Sequence, residues 1–126
     1  MSEPPRGTVL VADDDADILD LVCLRVERLG FDVIRATNGA EALERARGEN
    51  PDLLILDVLM PEINGFEVLK QLRAEQSGGR RVPALILTAT IQDERVAREY
   101  GIEPEGYMRK PFTAAALAAQ INRLIG

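Results

Sequence analysis

Residues 53–61 read LLILDVLMP. Four apolar residues, Leu53, Leu54, Ile55 and Leu56, run without a polar break into Asp57. An unbroken apolar run of this length marks a strand covered on both faces, whereas a half-buried strand alternates. A carboxylate at the end of such a strand has to be paired, metal-bound or protonated, because an isolated buried charge is costly. Its partners must come from elsewhere in the chain.

On either side of this strand one pattern repeats. TVLVA at 8–12 is a second short apolar strand, and it ends in Asp13, Asp14 and Asp15. A helical pattern follows, with Ile18, Leu21, Val22, Val26 and Leu29 on one side and Gly30 just past its end. FDVIRA at 31–36 alternates as a strand does, TNG at 37–39 reads as a turn, and EALERAR at 41–47 as a short helix. After the 53–57 strand, Met60-Pro61 and Asn64-Gly65 mark a loop. A helix is expected over 66–76 with Leu69 and Leu72 inward, then a loop at SGGRR, 77–81. ALILT at 84–88 is the fourth strand, 93–100 a short polar helix, and 106–108 a fifth strand before Lys110-Pro111. Thr113 is a good N-cap for a last helix carrying Leu117, Ile121, Leu124 and Ile125 on one face.

Strands alternating with helices five times predict an α/β fold. Its sheet is parallel, its crossovers are right-handed, and helices cover both faces. The 126 residues suit one domain, and 46% hydrophobic residues suffice for its core. The start, MSEPPRG, has no apolar signal core and reads as a disordered tail over 1–7, with the domain over 8–126. A net charge of −6 does not favour nucleic-acid binding by this domain. No apolar run approaches the ~20 residues of a membrane span, so no membrane association is expected. The single cysteine, Cys23, reads as a small buried helix residue. It rules out an internal disulfide and fits a reducing, cytoplasmic setting. The 126 residues contain no histidine, which excludes histidine catalysis or histidine metal ligation within them.

In open parallel sheets, sites form at the carboxyl ends of the strands. Asp13 and Asp14 follow the first strand, Asp57 ends the third, Thr88 the fourth, and Lys110 follows the fifth. Singly these residues are ordinary: an Asp run can cap a helix, Thr88 can be a plain β-branched strand residue, and Lys110 a surface lysine. Together at matching strand ends they are specific. Three carboxylates in one pocket repel, each pair by roughly 4 kcal/mol at ~4 Å and an effective dielectric of ~20. A divalent cation relieves this, and all-oxygen ligands suit Mg²⁺, with Mn²⁺ possible. A carboxylate beside such a cation can accept a phosphoryl group as an aspartyl phosphate. A lysine and a hydroxyl then suit the remaining phosphoryl oxygens.

VLVADDD, LLILDVLMP, NGFEVL, LILTAT and GYMRKPF, in this order and spacing, resemble the receiver domain of the two-component response regulators. The resemblance runs from about Thr8 to the end. It implies the flavodoxin-like doubly wound five-stranded sheet of order 2-1-3-4-5. It implies a regulatory phosphoacceptor of a phosphorelay, one that catalyses only its own phosphorylation and dephosphorylation. By the same resemblance Asp57 is the phosphoacceptor, Asp14 a direct metal ligand and Asp13 a ligand largely through water. The Leu59 backbone carbonyl is a further ligand. Thr88 is the switch hydroxyl, Lys110 its partner on the phosphoryl group, and Lys110-Pro111 a cis peptide. Tyr107 matches the aromatic switch residue, although a half-buried strand aromatic fits it equally well. Asp15 has no metal role and fits a helix cap. The phosphoryl donor is a histidine kinase or histidine phosphotransfer protein, and the output partner is unknown. Signal is expected to leave through the fourth helix, fifth strand and fifth helix. GIEPEGYM departs from the family pattern, with Pro104 and a second acid before the lysine.

Three alternatives stay open on sequence. A haloacid-dehalogenase-like phosphatase also uses an Asp after its first strand, but Ala16-Asp17 stand where Thr or Val is expected. A flavodoxin-like FMN carrier would need a hydroxyl- and glycine-rich loop where the acids stand. A degenerate receiver, used only as a scaffold, would not need the full set of acids, hydroxyl and lysine.

Overall fold

The computed structural model describes residues 5–76, 81–90 and 93–126. Its elements in chain order are β1 (Thr8–Ala12), α1 (Ala16–Arg28), β2 (Asp32–Ala36), α2 (Gly39–Glu49) and β3 (Leu53–Asp57). There follow α3 (Gly65–Glu75), β4 (Ala84–Thr88), α4 (Asp93–Glu99), β5 (Gly106–Arg109) and α5 (Ala114–Ile125). The five strands are parallel in the order β2-β1-β3-β4-β5, the doubly wound arrangement expected. Part of the 1–7 tail and nearly all of the 77–81 loop fall outside the described residues.

Burial explains the strand sequences. Every residue of β3 and β4 is buried, which is why both read as continuous apolar runs. Edge strands β2 and β5 alternate instead. Along β1, Val9 and Val11 face a core closed by Leu19, Val22 and Val26 of α1 and Leu117 and Ile121 of α5. Leu10 and Ala12 face the opposite core, with Ala42, Phe66, Leu69 and Ala97 from α2, α3 and α4.

On α1 the buried stripe is Leu19, Val22, Cys23 and Val26, while Leu21 is 46% exposed. This corrects the expected face. The stripe is rotated by a residue, Leu21 turns out with Leu24, and Ile18 and Leu29 are half-buried at its edges. Cys23 is buried as expected, and burial pushes its thiol pKa up. Arg6 and Gly7 are tied down rather than loose. The Arg6 amide donates to Gly30 O at 2.9 Å and its guanidinium lies 4.7 Å from the Phe31 ring centre, while the Asp32 amide donates to Gly7 O at 2.9 Å.

Two Asn-Gly pairs, read as turn and loop, are helix starts. Asn38 caps α2 by accepting from the Glu41 amide, and Asn64 caps α3 by accepting from the Glu67 amide. The glycine after each is the first helical residue, and each is there for space. A Cβ on Gly65 would stand 2.3 Å from Asp57 O, and one on Gly39 would stand 1.9 Å from Ile63 O. Both helices therefore press on the loop that leaves Asp57.

The departing stretch 101–108 fastens the far end of the sheet. Glu105 Oε1 accepts from Arg73 of α3 at 2.7 Å and from the Ala84 amide at 2.8 Å. Its other oxygen accepts from Arg81 at 3.2 Å. The carboxylate thus satisfies the first amide of β4 and joins β5 to α3.

Gly65→Ala should lower stability by roughly 1–3 kcal/mol, the usual cost of forcing atoms into a filled space. Urea unfolding at unchanged m-value measures it. A wild-type midpoint would mean that the loop after Asp57 can yield.

Candidate functional site

Four strand ends build the site. β1 delivers Asp13 and Asp14, β3 delivers Asp57, β4 delivers Thr88, and Lys110 follows β5. Asp13 is 1% exposed and Asp57 7%. The Lys110 ammonium lies between them, donating to Asp13 Oδ2 at 3.1 Å and to Asp57 Oδ1 at 3.0 Å. Its reach is long, since β5 is separated from β3 by β4. The Lys110 amide donates to Thr88 O at 2.8 Å, which fixes the start of that reach. The Lys110-Pro111 bond is cis, as the resemblance implied.

The three consecutive aspartates divide their roles. Asp13 is buried, and its Oδ1 also accepts the Asp15 amide at 2.9 Å. Asp14 is exposed at the cleft. Asp15 caps α1, accepting from the amides of Asp17 and Ile18. One carboxylate oxygen from each of Asp13, Asp14 and Asp57 falls within 4.8 Å of the others. Among the described residues this is a hard-oxygen donor set with one ammonium against three acids. Such a set fits a small divalent cation.

These groups line an open cleft of about 250 Å³, together with Ile18, Val58, Leu59, Ala89 and Asp93. Leu59 is 73% exposed, at the rim. A larger hollow of about 490 Å³ lies between α2 and α3, but its described lining holds a single acid, Glu75, which is already paired with Arg47 at 2.5 Å. The convergent chemistry is in the smaller cleft.

Thr88 is buried at the end of β4, but its hydroxyl is directed to the start of α4. It bonds to the Asp93 carboxylate, lies 2.7 Å from Thr90 O as a second acceptor, and accepts from the Thr90 amide at 3.0 Å. In the sequence Asp93 is simply part of a polar helix. The available signal was an acid five residues past a strand-end threonine. Tyr107 is half-buried and packs against the core under α2, α3 and α4. Burial, reinforced by Glu94, pushes its phenol pKa up.

Burial, with the charges of Asp13 and Asp14 adding to it, pushes the Asp57 pKa from 3.8 up to about 6, against the Lys110 hydrogen bond that lowers it. Burial opposes the Lys110 charge, but its bonds to Asp57 and Asp13 outweigh this and hold its pKa above the ordinary value. The Asp57 shift has a sign in stability. Between pH 3.8 and about 6 the folded chain keeps a proton that the unfolded chain has lost. Folding stability therefore falls as pH rises through that window, and above it Asp57 contributes no further slope. Compared with Asp57→Asn in chelator, the wild type should lose on the order of 1–2 kcal/mol between pH 4 and pH 7, after discounting for solvent at the cleft mouth. Parallel stability profiles for the two proteins would refute the shift.

The model of the response regulator receiver domain matches residues 9–122. The alkaline phosphatase synthesis transcriptional regulatory protein PhoP of Bacillus subtilis is 40% identical over 119 residues, 93% of this chain and 48% of that protein. The DNA-binding dual master transcriptional regulator RpaA of Synechocystis is 32% identical, with the same shares covered. The chain thus spans about half the length of these curated relatives. Among solved structures, Vibrio cholerae chemotaxis protein CheY4 superposes with a TM-score of 0.82 at 31% identity, covering 93% of this chain and 97% of that one. The Francisella response regulator 1452 receiver domain gives 0.81 at 31% identity, covering 94% and 96%. A match over nearly the whole sheet sets aside the phosphatase and flavin-carrier alternatives, and the chain belongs to the response regulator receiver domain family.

Proposed function

We propose that the chain accepts a phosphoryl group on Asp57 from a phosphohistidine and passes the change to the surface of α4, β5 and α5. The observation that carries this is the Lys110 ammonium held 3.0 Å from Asp57 and 3.1 Å from Asp13, with the Asp14 carboxylate alongside. An Asp57 oxygen attacks phosphorus as the bond to the donor imidazole nitrogen breaks. The imidazole leaves with its electron pair and takes a proton from solvent. These 126 residues contain no histidine, so the donor belongs to a histidine kinase or histidine phosphotransfer protein outside them. The domain catalyses only its own phosphorylation and dephosphorylation, and works in the cytoplasm.

Asp14 would bind a divalent cation directly, Asp13 largely through water, and Asp57 and the Leu59 carbonyl would complete the protein ligands. Mg²⁺, or Mn²⁺ in its place, suits these oxygens and would neutralise charge on the phosphoryl oxygens. Lys110 pairs with one phosphoryl oxygen once Asp57 is modified, because its bond to the carboxylate is already made at that position. The Thr88 hydroxyl turns to another. The space it leaves lets Tyr107, half-buried at rest, move inward. Output partners then read the altered face.

With Mg²⁺ and acetyl phosphate the wild type should gain one labile phosphoryl group and Asp57→Asn none, as intact mass would show. Equal labelling of both would sink the acceptor assignment. By calorimetry, Asp14→Asn should weaken Mg²⁺ binding by about tenfold or more, roughly 1.4 kcal/mol, and Asp13→Asn by less. The reverse order would exchange their roles.

A further inference from the structure

Asp93 occupies an unusual place in this cleft. It is the first residue of α4, it lines the same cavity as Asp57 and Lys110, and its carboxylate binds the Thr88 hydroxyl. A threonine hydroxyl has a single proton to donate. Given to an ionised carboxylate, that hydrogen bond is charge-assisted and stronger than one to the Thr90 carbonyl, the other acceptor in reach. The same proton is the one a phosphoryl oxygen on Asp57 would need. The modified Asp57 and Asp93 therefore compete for one donor.

We propose that Asp93 is a positioning residue that latches the Thr88 hydroxyl in the resting state, and so sets how strongly a phosphoryl group is required to throw the switch. This rests on the reading of Asp57 as the phosphoacceptor and Thr88 as its switch hydroxyl. The latch also says which part of α4 responds. At the far end, Tyr100 is held by Asn64 Nδ2 at 3.0 Å and by ring contact with Phe66 at 5.9 Å between centroids. Those contacts involve neither Asp57 nor Thr88. Release at Asp93 frees the first turn of α4 while its last turn stays pinned to α3. A phosphoryl group also brings new negative charge into a cavity that already holds Asp93, so the acid leaves the cleft as the hydroxyl is given up.

The test is calorimetric titration with beryllofluoride, a phosphoryl mimic, at saturating Mg²⁺. Four proteins are compared: wild type, Asp93→Ala, Thr88→Ala and the double variant. Removing the latch should tighten beryllofluoride binding about tenfold, equivalent to about 1.4 kcal/mol. Asp93→Asn, which keeps an acceptor oxygen and drops the charge, should give a smaller gain. In the Thr88→Ala background, Asp93→Ala should give a clearly smaller gain than in the wild type, because relief of charge repulsion persists but no hydroxyl remains to be released. Mg²⁺ affinity without beryllofluoride should not rise in Asp93→Ala, because removing an acid from the cleft can only weaken attraction for a cation, so tighter beryllofluoride binding would not come from the metal. Unchanged or weaker beryllofluoride binding by Asp93→Ala would overturn the latch. So would an equal gain in the Thr88→Ala background, which would assign the effect to charge repulsion alone. If the wild type failed to bind beryllofluoride at all, the reading of Asp57 would fall first, and the latch with it.

Discussion

One ammonium between two buried carboxylates holds this architecture to its purpose. Asp13 and Asp57 would repel each other at the ends of adjacent strands, and both are buried. Lys110 bonds to both. Removing one member of such a set leaves a buried charge uncompensated, which costs far more than the intact set contributes to stability. The set still falls short of neutrality, because three acids face one ammonium and leave two negative charges. Burial first, and that residue of charge after it, keep the Asp57 pKa high, and the charge suits the pocket to a cation. The sheet is arranged to deliver these groups: adjacent β1 and β3 bring the acids, and the lysine arrives across the end of β4.

The central strands and the heart of the site were legible because both follow from short-range rules. Two-sided burial writes itself as an apolar run, so β1, β3 and β4 have the bounds expected from TVLVA, LLILD and ALILT. A parallel fold then places Asp13, Asp57 and Lys110 together without any further information. Other features depend on distant parts of the chain. Helical periodicity gives α1 an apolar stripe but not which edge of it the sheet covers, and so favours Leu21 over Leu19 for the inside. An Asn-Gly pair suits a turn as well as a cap followed by a first helical residue. Only the crowding against Asp57 O and Ile63 O decides between them.

Asp93 and Glu105 were illegible for the same reason. Each acts on a group whose position is set by packing rather than by neighbourhood in sequence. Asp93 meets Thr88 because α4 is docked over the end of β4. Glu105 meets Arg73, 32 residues away, because β5 lies at the sheet edge beside β4 and within reach of α3. In both cases the residue type alone suggested a solvated surface acid. Contacts set by packing between distant elements are harder to read from a single sequence than residues at strand ends.

The fastening of Glu105 has a mechanical consequence. It clamps the entry of β5 to α3 and to the first amide of β4, while the exit of β5 carries Lys110. β5 is also paired with β4 throughout, and its exit is held by the Lys110 amide on Thr88 O, so the strand is fixed in register at both ends. A strand held in this way resists sliding along its own axis, so a pull on the lysine is shared with β4. Tyr107 lies two residues past Glu105, inside the stretch paired with β4. Glu105 therefore ties α3, β4 and β5 into one unit at the end of the sheet furthest from its chemistry.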